Sequence, residues 1–268
     1  MNLNKELKLG ILATKEAGKL LMKQINSVER KDDLSNPSTK EDKNSELLIL
    51  KILKKEFPEH GYLGEEFGEQ NPNANYKWII DPIDGTNNYI GGRDSFSISI
   101  ALEKNNEIVL AIVYLPKRDE LFYAIKGKGA YLNEKPIHVN NNENYSKAII
   151  TYSTYPGDEH KTENLNKKIF DKFPKVKYFG FKDKKNLDKT FGRGSMAAEF
   201  CYLACGRIDG LIRLKQKPWD VAAGSLIAKE AGAEMNHLKG NKCDIYEGDY
   251  IASNPKFLKI INEIVVGD

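Results

Sequence analysis

One stretch decides the fold, Trp78-Ile79-Ile80-Asp81-Pro82-Ile83-Asp84-Gly85-Thr86. Its first three residues are apolar and predict a short buried strand. Asp81-Pro82 is expected to end that strand, because proline cannot donate to a ladder and holds the residue before it extended. Asp81 and Asp84 would then lie on a tight turn, close enough to bind one cation, and Gly85 would permit the turn. An ordinary Asp/Pro/Gly turn explains the stretch equally well, since such residues dominate turns.

The composition is that of a globular protein with one large domain or two closely packed ones: 268 residues, 40% hydrophobic and 29% charged. The net charge of +3 is too small to indicate nucleic acid binding. No apolar run approaches the roughly 20 residues that span a bilayer, and the N-terminus lacks the layout of a signal peptide. Three cysteines, an odd number, favour a reduced, cytoplasmic compartment. We expect Cys201 and Cys205 to pack in a helix rather than bind metal.

Hydrophobic spacing divides the first half into helices followed by strands. Helices are predicted from residue 4 to about 26 and from Ser38-Thr39 to Phe57, where Pro58 stops the second one. Apolar patterns predict three strands in an antiparallel meander, Ser95 to Leu102, Glu107 to Leu115 and Leu121 to Ile125.

The polar stretch from Asn140 to Asn144 predicts a link between two halves, residues 1–145 and residues 146–268. The second half is predicted to contain two strands and two helices. These are a strand near Ala148 to Tyr152, a helix opened by Gly194-Ser195, a strand from Ile208 to Leu214, and a helix from Val221 to Ala231 with Asp220 as its N-cap.

Three groups of carboxylates lie at strand ends or helix starts: Glu65-Glu66, Asp81 with Asp84, and Asp220. Hard divalent cations take several carboxylate oxygens, and two such ions about 3.5–4 Å apart can hold a phosphate and activate a water. The sequence has no nucleotide P-loop, no paired zinc spacing among its histidines and no Gly-x-Ser-x-Gly elbow. These patterns favour metal-assisted phosphoester hydrolysis, although acidic pairs on loops are usually only solvated.

Several of these motifs together resemble the inositol monophosphatase family. The similar stretches are Gly64-Glu65-Glu66, residues 78–86, Trp219-Asp220-Val221-Ala222-Ala223-Gly224 and the lesser run Gly194-Ser195-Met196-Ala197-Ala198. Their order and spacing match, and the resemblance covers nearly the whole chain. It implies an α/β (α+β layered) fold, an αβαβα five-layer sandwich, and a lithium-sensitive, magnesium-dependent phosphomonoesterase.

The resemblance also implies which residues hold two to three Mg²⁺ ions. Glu65, Asp81 and the backbone carbonyl of Ile83 would hold the first ion. Asp81, Asp84 and Asp220 would hold the second, and a third, weaker ion would lie near Glu65.

Further roles follow from the same resemblance. Thr86, hydrogen-bonded to Asp42, would orient the water that Glu65 helps activate, and the amides of Gly85 and Thr86 would bind the phosphate. Glu66 has two equally supported interpretations. It is either part of the site or a capping or surface carboxylate beside the ligand Glu65.

On the substrate side, Ser195, Met196 and Arg213 are the candidate contacts, and two of them depart from the inositol-specific pattern. Met196 stands where those members usually carry alanine, and Arg213 stands where they carry a glutamate that contacts inositol hydroxyls. Arg213 either binds a second phosphate, which suits a bidentate cation, or turns outward to pair with a surface acid.

The favoured substrate is therefore a small phosphate ester similar to inositol 1-phosphate. A 3'(2'),5'-bisphosphate nucleotidase or a fructose-1,6-bisphosphatase is the alternative within the family. Asn87-Asn88-Tyr89 favours the inositol type, whereas Arg213 favours a bisphosphate. A non-catalytic scaffold that binds protein or RNA is the alternative from another class, and family analogy implies a homodimer. The segment Lys182 to Lys189 is expected to be either a surface loop or a border of the substrate cleft.

Overall fold

The computed structural model describes residues 2–24, 39–144, 146–153, 163–172, 177–178, 194–237, 244–246 and 248–265. The predicted Lys182–Lys189 segment lies outside the described residues. The helices are α1 (Asn4–Gln24), α2 (Lys40–Glu56), α3 (Thr86–Ile90), α4 (Glu163–Lys172), α5 (Met196–Ala204), α6 (Pro218–Glu230) and α7 (Pro255–Val265).

The strands form two sheets. The first sheet contains β1 (Gly61–Gly64), β2 (Gly68–Gln70), β3 (Tyr76–Asp84), β4 (Ser97–Lys104), β5 (Glu107–Leu115), β6 (Glu120–Ile125), β7 (Ala130–Leu132) and β8 (Lys135–Ile137). The second contains β9 (Ile150–Ser153), β10 (Lys177–Tyr178), β11 (Gly210–Arg213), β12 (Glu234–His237) and β13 (Tyr250–Ser253).

The eight-stranded sheet has the order β2-β1-β3-β4-β5-β6-β7-β8, and its strands are antiparallel except for the parallel pair of β1 with β3. The predicted meander is thus confirmed as β4, β5 and β6. The five-stranded sheet has the order β10-β9-β11-β13-β12 and is mixed.

Four apolar clusters join these elements into five layers. Helices α1 and α2 pack on one face of the large sheet through residues such as Leu21, Ile49 and Trp78. Helices α5 and α6 lie between the two sheets and contact both of them. Helices α4 and α7 cover the outer face of the small sheet. The predicted αβαβα sandwich is confirmed, whereas the division near residue 145 stays a prediction.

Strand β3 differs from the prediction, because Pro82 does not end it. Asp81 pairs with Ser99 and Asp84 pairs with Ser97, so β3 advances three residues while β4 advances two. This extra residue is a β-bulge, a position at which a sheet tolerates proline.

The helix boundaries are close to those predicted, with one correction. Thr39 is the N-cap of α2, and Ser195 is the N-cap of α5. Asp220 is not the N-cap of α6, because the helix begins at Pro218 and Lys217 occupies the cap. Proline fits the first helical position, where no N–H is needed. Among the described helices, none combines the length and the apolar character that crossing a bilayer requires.

Candidate metal centre

Three carboxylates from β3 and α6 meet at one point. One oxygen each of Asp81, Asp84 and Asp220 lies within 4.8 Å of the other two. Asp81 and Asp84 are buried, and Asp220 is half-buried. Burial and the neighbouring charges of Glu65, Asp84 and Asp220 raise the pKa of Asp81 well above its usual range. A hard divalent cation would relieve this repulsion and satisfy the oxygens, so the donor set fits such an ion.

The bulge in β3 explains why both aspartates face the same side. Residues three apart in a regular strand point to opposite faces of the sheet. The additional residue between Asp81 and Asp84 restores a common direction. The Asp81 side chain also accepts a hydrogen bond from the Ile83 N–H, at 3.0 Å, which stabilises the bulge. The Asp-Pro-Ile-Asp sequence therefore builds the site through an irregular strand rather than a strand end.

The start of α5 holds Asp84. Its Oδ2 accepts hydrogen bonds from the Ser195 hydroxyl at 2.7 Å and from the Ala197 N–H at 2.6 Å. Because the Ser195 proton goes to Asp84, the Ser97 hydroxyl, 2.7 Å away, donates to Ser195. Burial raises the pKa of Asp84 to about 6, and these hydrogen bonds lower it. Ser195 thus contacts a candidate metal ligand and caps its own helix.

The first turn of α6 presents Asp220. One of its oxygens, Oδ2, accepts the Lys217 N–H at 2.8 Å, in a capping role from the third helical position. Burial, followed by repulsion from Asp84, raises the pKa of Asp220 to about 7.

Glu65 lies directly after β1 and is exposed to solvent. Its N–H donates to the carbonyl of Ile80, at 3.2 Å, so its backbone is tied to the residue before Asp81. The surrounding protein, followed by the charges of Asp220 and Asp42, raises the pKa of Glu65 to about 8. The structure therefore brings Glu65 into the field of the other carboxylates.

Thr86 and Asp42 are in contact, as the family resemblance implies. The Thr86 hydroxyl lies 3.2 Å from Asp42 Oδ1 and 3.0 Å from the carbonyl oxygen of Ile83, and its single proton serves one of them at a time. The other Asp42 oxygen accepts the Thr39 N–H at 2.8 Å, as part of the capping box of α2. Burial raises the pKa of Asp42 to about 6.

Gly85 connects β3 to α3 with a φ of 88°, in the left-handed region that favours glycine. A Cβ at this position would lie 3.0 Å from the Ser95 carbonyl oxygen, so space as well as conformation requires glycine. The chain can thereby turn directly from Asp84 into Thr86.

The substrate-side candidates are buried. Met196 is 4% exposed, and Arg213 is 3% exposed. Arg213 forms an ion pair with Glu199 of α5 and donates to the Thr151 hydroxyl at 3.0 Å. Glu199 in turn accepts the Thr151 hydroxyl at 2.7 Å. The alternative in which Arg213 turns outward to a surface acid is therefore wrong, because its partner is a buried carboxylate.

The sequence motifs do not indicate two residues near the site, Glu46 and Glu199. Glu46 accepts the N–H groups of Glu66 and Phe67, and Glu199 pairs with Arg213. A signal for Glu46 existed, since it lies four residues after Asp42 on the apolar face of α2. No comparable pattern marked Glu199, whose partners are distant in the sequence.

Comparisons with known proteins agree with this fold. The sequence profile of the inositol monophosphatase family matches residues 3–266. A protein of Aquifex aeolicus named fructose-1,6-bisphosphatase/inositol-1-monophosphatase is 35% identical over 237 residues, covering 86% of this chain and 85% of the relative. The protein of Vibrio cholerae named Nus factor SuhB is 34% identical over 260 residues, covering 95% and 93%.

A solved structure agrees as well. The inositol monophosphatase from Anabaena has a TM-score of 0.84 at 28% identity and covers 100% of this chain and 97% of that chain. The layered fold and the carboxylate cluster define a phosphatase of the metal-dependent type. The chain belongs to the inositol monophosphatase family.

Proposed function

We propose that the protein is a Mg²⁺-dependent phosphomonoesterase acting on a small polyol phosphate similar to inositol 1-phosphate. The observation that carries this proposal is the convergence of Asp81, Asp84 and Asp220 within 4.8 Å. Mg²⁺ is a hard cation that takes carboxylate oxygens together with substrate phosphate. Glu65, Asp81 and the Ile83 carbonyl would hold the first ion, and the three aspartates would hold the second. A third, weaker ion would bind near Glu65.

The bound ions would supply an acidified water and offset the charge of the phosphoryl group. The protein's own residues would orient the reactants. Thr86, whose hydroxyl proton goes to Asp42 or to the Ile83 carbonyl, is suited to accept a hydrogen bond from a water and so orient that water toward phosphorus. Glu65 would help activate that water as a base. The amides of Gly85 and Thr86 would bind the phosphate oxygens.

The environment of Arg213 supports a monophosphate over a bisphosphate. A second substrate phosphate would have to compete with Glu199, which already pairs with the guanidinium. Leaving one partner of a buried ion pair alone costs about 3–5 kcal/mol. The name of the Anabaena inositol monophosphatase supports the same choice, whereas the Aquifex relative is named for both a bisphosphatase and a monophosphatase. A contact of Ser195, Met196 or Arg213 with substrate stays a prediction.

The substrate is tested by measuring kcat/KM on inositol 1-phosphate, fructose 1,6-bisphosphate and adenosine 3',5'-bisphosphate in parallel. We expect the first to be the best substrate. Hydrolysis of the third alone would overturn this choice and favour the bisphosphate nucleotidase.

The metal proposal predicts the effect of Asp84→Asn. Loss of one charged ligand should lower Mg²⁺-dependent phosphate release at least about 100-fold, because changing even an outer-shell partner costs about 10–100-fold. Asp171→Asn, at an exposed position of α4, is the matched control and should retain activity. Unchanged phosphate release by the Asp84 variant would contradict the two-metal site.

A second candidate role is suggested by relatives named Nus factor SuhB, which favours a binding activity beside catalysis. Asp84→Asn separates this role from catalysis. A binding function needs a folded surface but no hydrolysis, so it should survive in the variant. A wild-type protein inactive on every phosphomonoester would favour the non-catalytic scaffold. We further propose a cytoplasmic location, from the cysteine usage, and a homodimer, by family analogy.

A further inference from the structure

Hydrogen bonds hold the backbone at Glu65 and at the two residues that follow it. The N–H of Glu65 donates to the Ile80 carbonyl at 3.2 Å. After it, the N–H groups of Glu66 and Phe67 donate to the carboxylate of Glu46, at 2.9 and 3.2 Å. The peptide that follows Glu65 is therefore fixed by a side chain from α2.

Glu46 is well placed to act as an anchor, because it is 1% exposed and lies within a 17-residue helix. The same face of α2 carries two further contacts to the site. Asp42 meets the Thr86 hydroxyl, and the Ser45 hydroxyl donates to the Pro82 carbonyl at 3.1 Å. One face of α2 thus contacts the backbone after Glu65, the bulge of β3 at Pro82, and Thr86.

Gly64 leaves the space that the Glu46 carboxylate occupies. A Cβ built on Gly64 would overlap the Glu46 carboxylate, so the carboxylate occupies the space that a side chain would fill. The φ of Gly64 is not in the left-handed region. Space for Glu46, rather than backbone conformation, therefore requires glycine here.

We propose that Glu46 is a positioning residue that sets the Glu65 carboxylate for metal binding. This inference rests on the proposed role of Glu65 as a metal ligand. Both oxygens of Glu46 accept an N–H, one from each of two consecutive residues. A glutamine offers one acceptor and turns its NH₂ toward the other N–H, so Glu46→Gln breaks one tether while keeping the volume.

The test measures binding of Mn²⁺, as a probe, by the EPR signal of the free ion at pH 8, together with kcat and KM in Mg²⁺. We expect Glu46→Gln to weaken Mn²⁺ binding about 10-fold or more, as supporting residues of metal sites do. It should lower kcat with little effect on substrate KM at saturating Mg²⁺. Glu263→Gln, an exposed glutamate of α7, is the matched control and should bind as the wild type does.

Glu65→Gln separates the two levels of the proposal. If Glu65→Gln binds Mn²⁺ as tightly as the wild type, the metal role of Glu65 is wrong. If Glu65→Gln weakens binding and a folded Glu46→Gln does not, Glu46 has no positioning role while the proposed function stands.

Gly64→Ala is a second test of the proposal, because it keeps the Glu46 carboxylate but displaces it. It should weaken Mn²⁺ binding in the wild-type background and add little in a Glu46→Ala background, where the space is free. Equal effects of Gly64→Ala in both backgrounds would overturn the inference, even if Glu46→Gln fails to fold.

Discussion

Arg213 is a buried charged side chain, and its partners within the protein determine whether it is available to bind a ligand. Arg213 resembles a phosphate ligand when read from the sequence, yet in the fold its guanidinium pairs with Glu199 and Thr151. Burial lowers the pKa of Arg213, and the negative charge of Asp84 opposes that effect. Glu199 belongs to the same helix whose first residues hold Asp84. The Arg213–Glu199 ion pair therefore helps to position α5, whose first residues hold Asp84.

His60 is a half-buried titratable side chain, away from the carboxylates. Its ring stacks between Phe57 and Tyr76, and its Nδ1 accepts the Trp78 Nε1–H at 3.1 Å. Burial lowers the pKa of His60, and the charge of Glu6 on α1 opposes this. The folded state therefore binds its proton less readily than the unfolded state. The stability that His60 contributes is present above the unfolded pKa of about 6.5 and is lost as the pH falls from there through the lowered pKa of the folded state.

We predict that His60→Phe flattens this pH dependence. The variant keeps an aromatic ring but cannot be protonated, and it should be less stable at neutral pH because Trp78 loses its acceptor. The free energy of unfolding, measured in urea at pH 7.5 and pH 5.5, should differ less between the two conditions than in the wild type. His138→Phe, at an exposed position after β8, controls for loss of one imidazole. An equal pH difference in His60→Phe and the wild type would disprove the assignment.

At the scale of the elements, the packing of α5 against α6 sets the distance between two parts of the site. The start of α5 holds Asp84, and the first turn of α6 carries Asp220. Gly224 of α6 lies against α5, since a Cβ there would lie 2.6 Å from the Phe200 Cβ. Helix spacing at this contact is therefore set by a glycine against a buried aromatic ring.

Gly224→Ala tests this spacing. Alanine would raise helix propensity by about 1 kcal/mol, but overpacking against Phe200 costs typically about 1–3 kcal/mol. We expect a lower free energy of unfolding and a kcat lowered by about 10 to 100-fold, because small displacements of positioned groups are costly in catalysis. A gain in stability for Gly224→Ala alone would show that the helices separate without strain.

On the scale of the whole molecule, the site lies where the two sheets meet the helices between them. Helix α6 packs against the large sheet and the small sheet, and its Glu230 accepts the N–H groups of Gly127 and Gly129 from the turn after β6. Glu65, Asp81 and Asp84 come from the large sheet, whereas Asp220 comes from α6. An ion bound by these residues would therefore couple distant parts of the chain.

Much of this arrangement was predictable from the sequence, because periodicity and the motifs are local signals. The strand Glu107–Leu115 has the predicted bounds, and the Asp81 and Asp84 pair was identified from nine consecutive residues. The bulge was not, since a local proline signal predicts a strand end and only the pairing with β4 prolongs the strand. Contacts such as Glu46 with Phe67 or Arg213 with Glu199 depend on packing between elements, which no local pattern encodes.

Metal removal provides the last prediction, since it affects the whole fold. Without a cation, Asp81, Asp84 and Asp220 are crowded within 4.8 Å, and their charges oppose folding. An ion that binds only the native state at 100 times its Kd stabilises it by about 2.7 kcal/mol. We expect saturating Mg²⁺ to raise the Tm by about 5 °C or more relative to EDTA, which calorimetry measures. Asp84→Asn should lose most of this shift, whereas Asp171→Asn should keep it. An equal shift in Asp84→Asn would mean that the stabilising ion binds elsewhere.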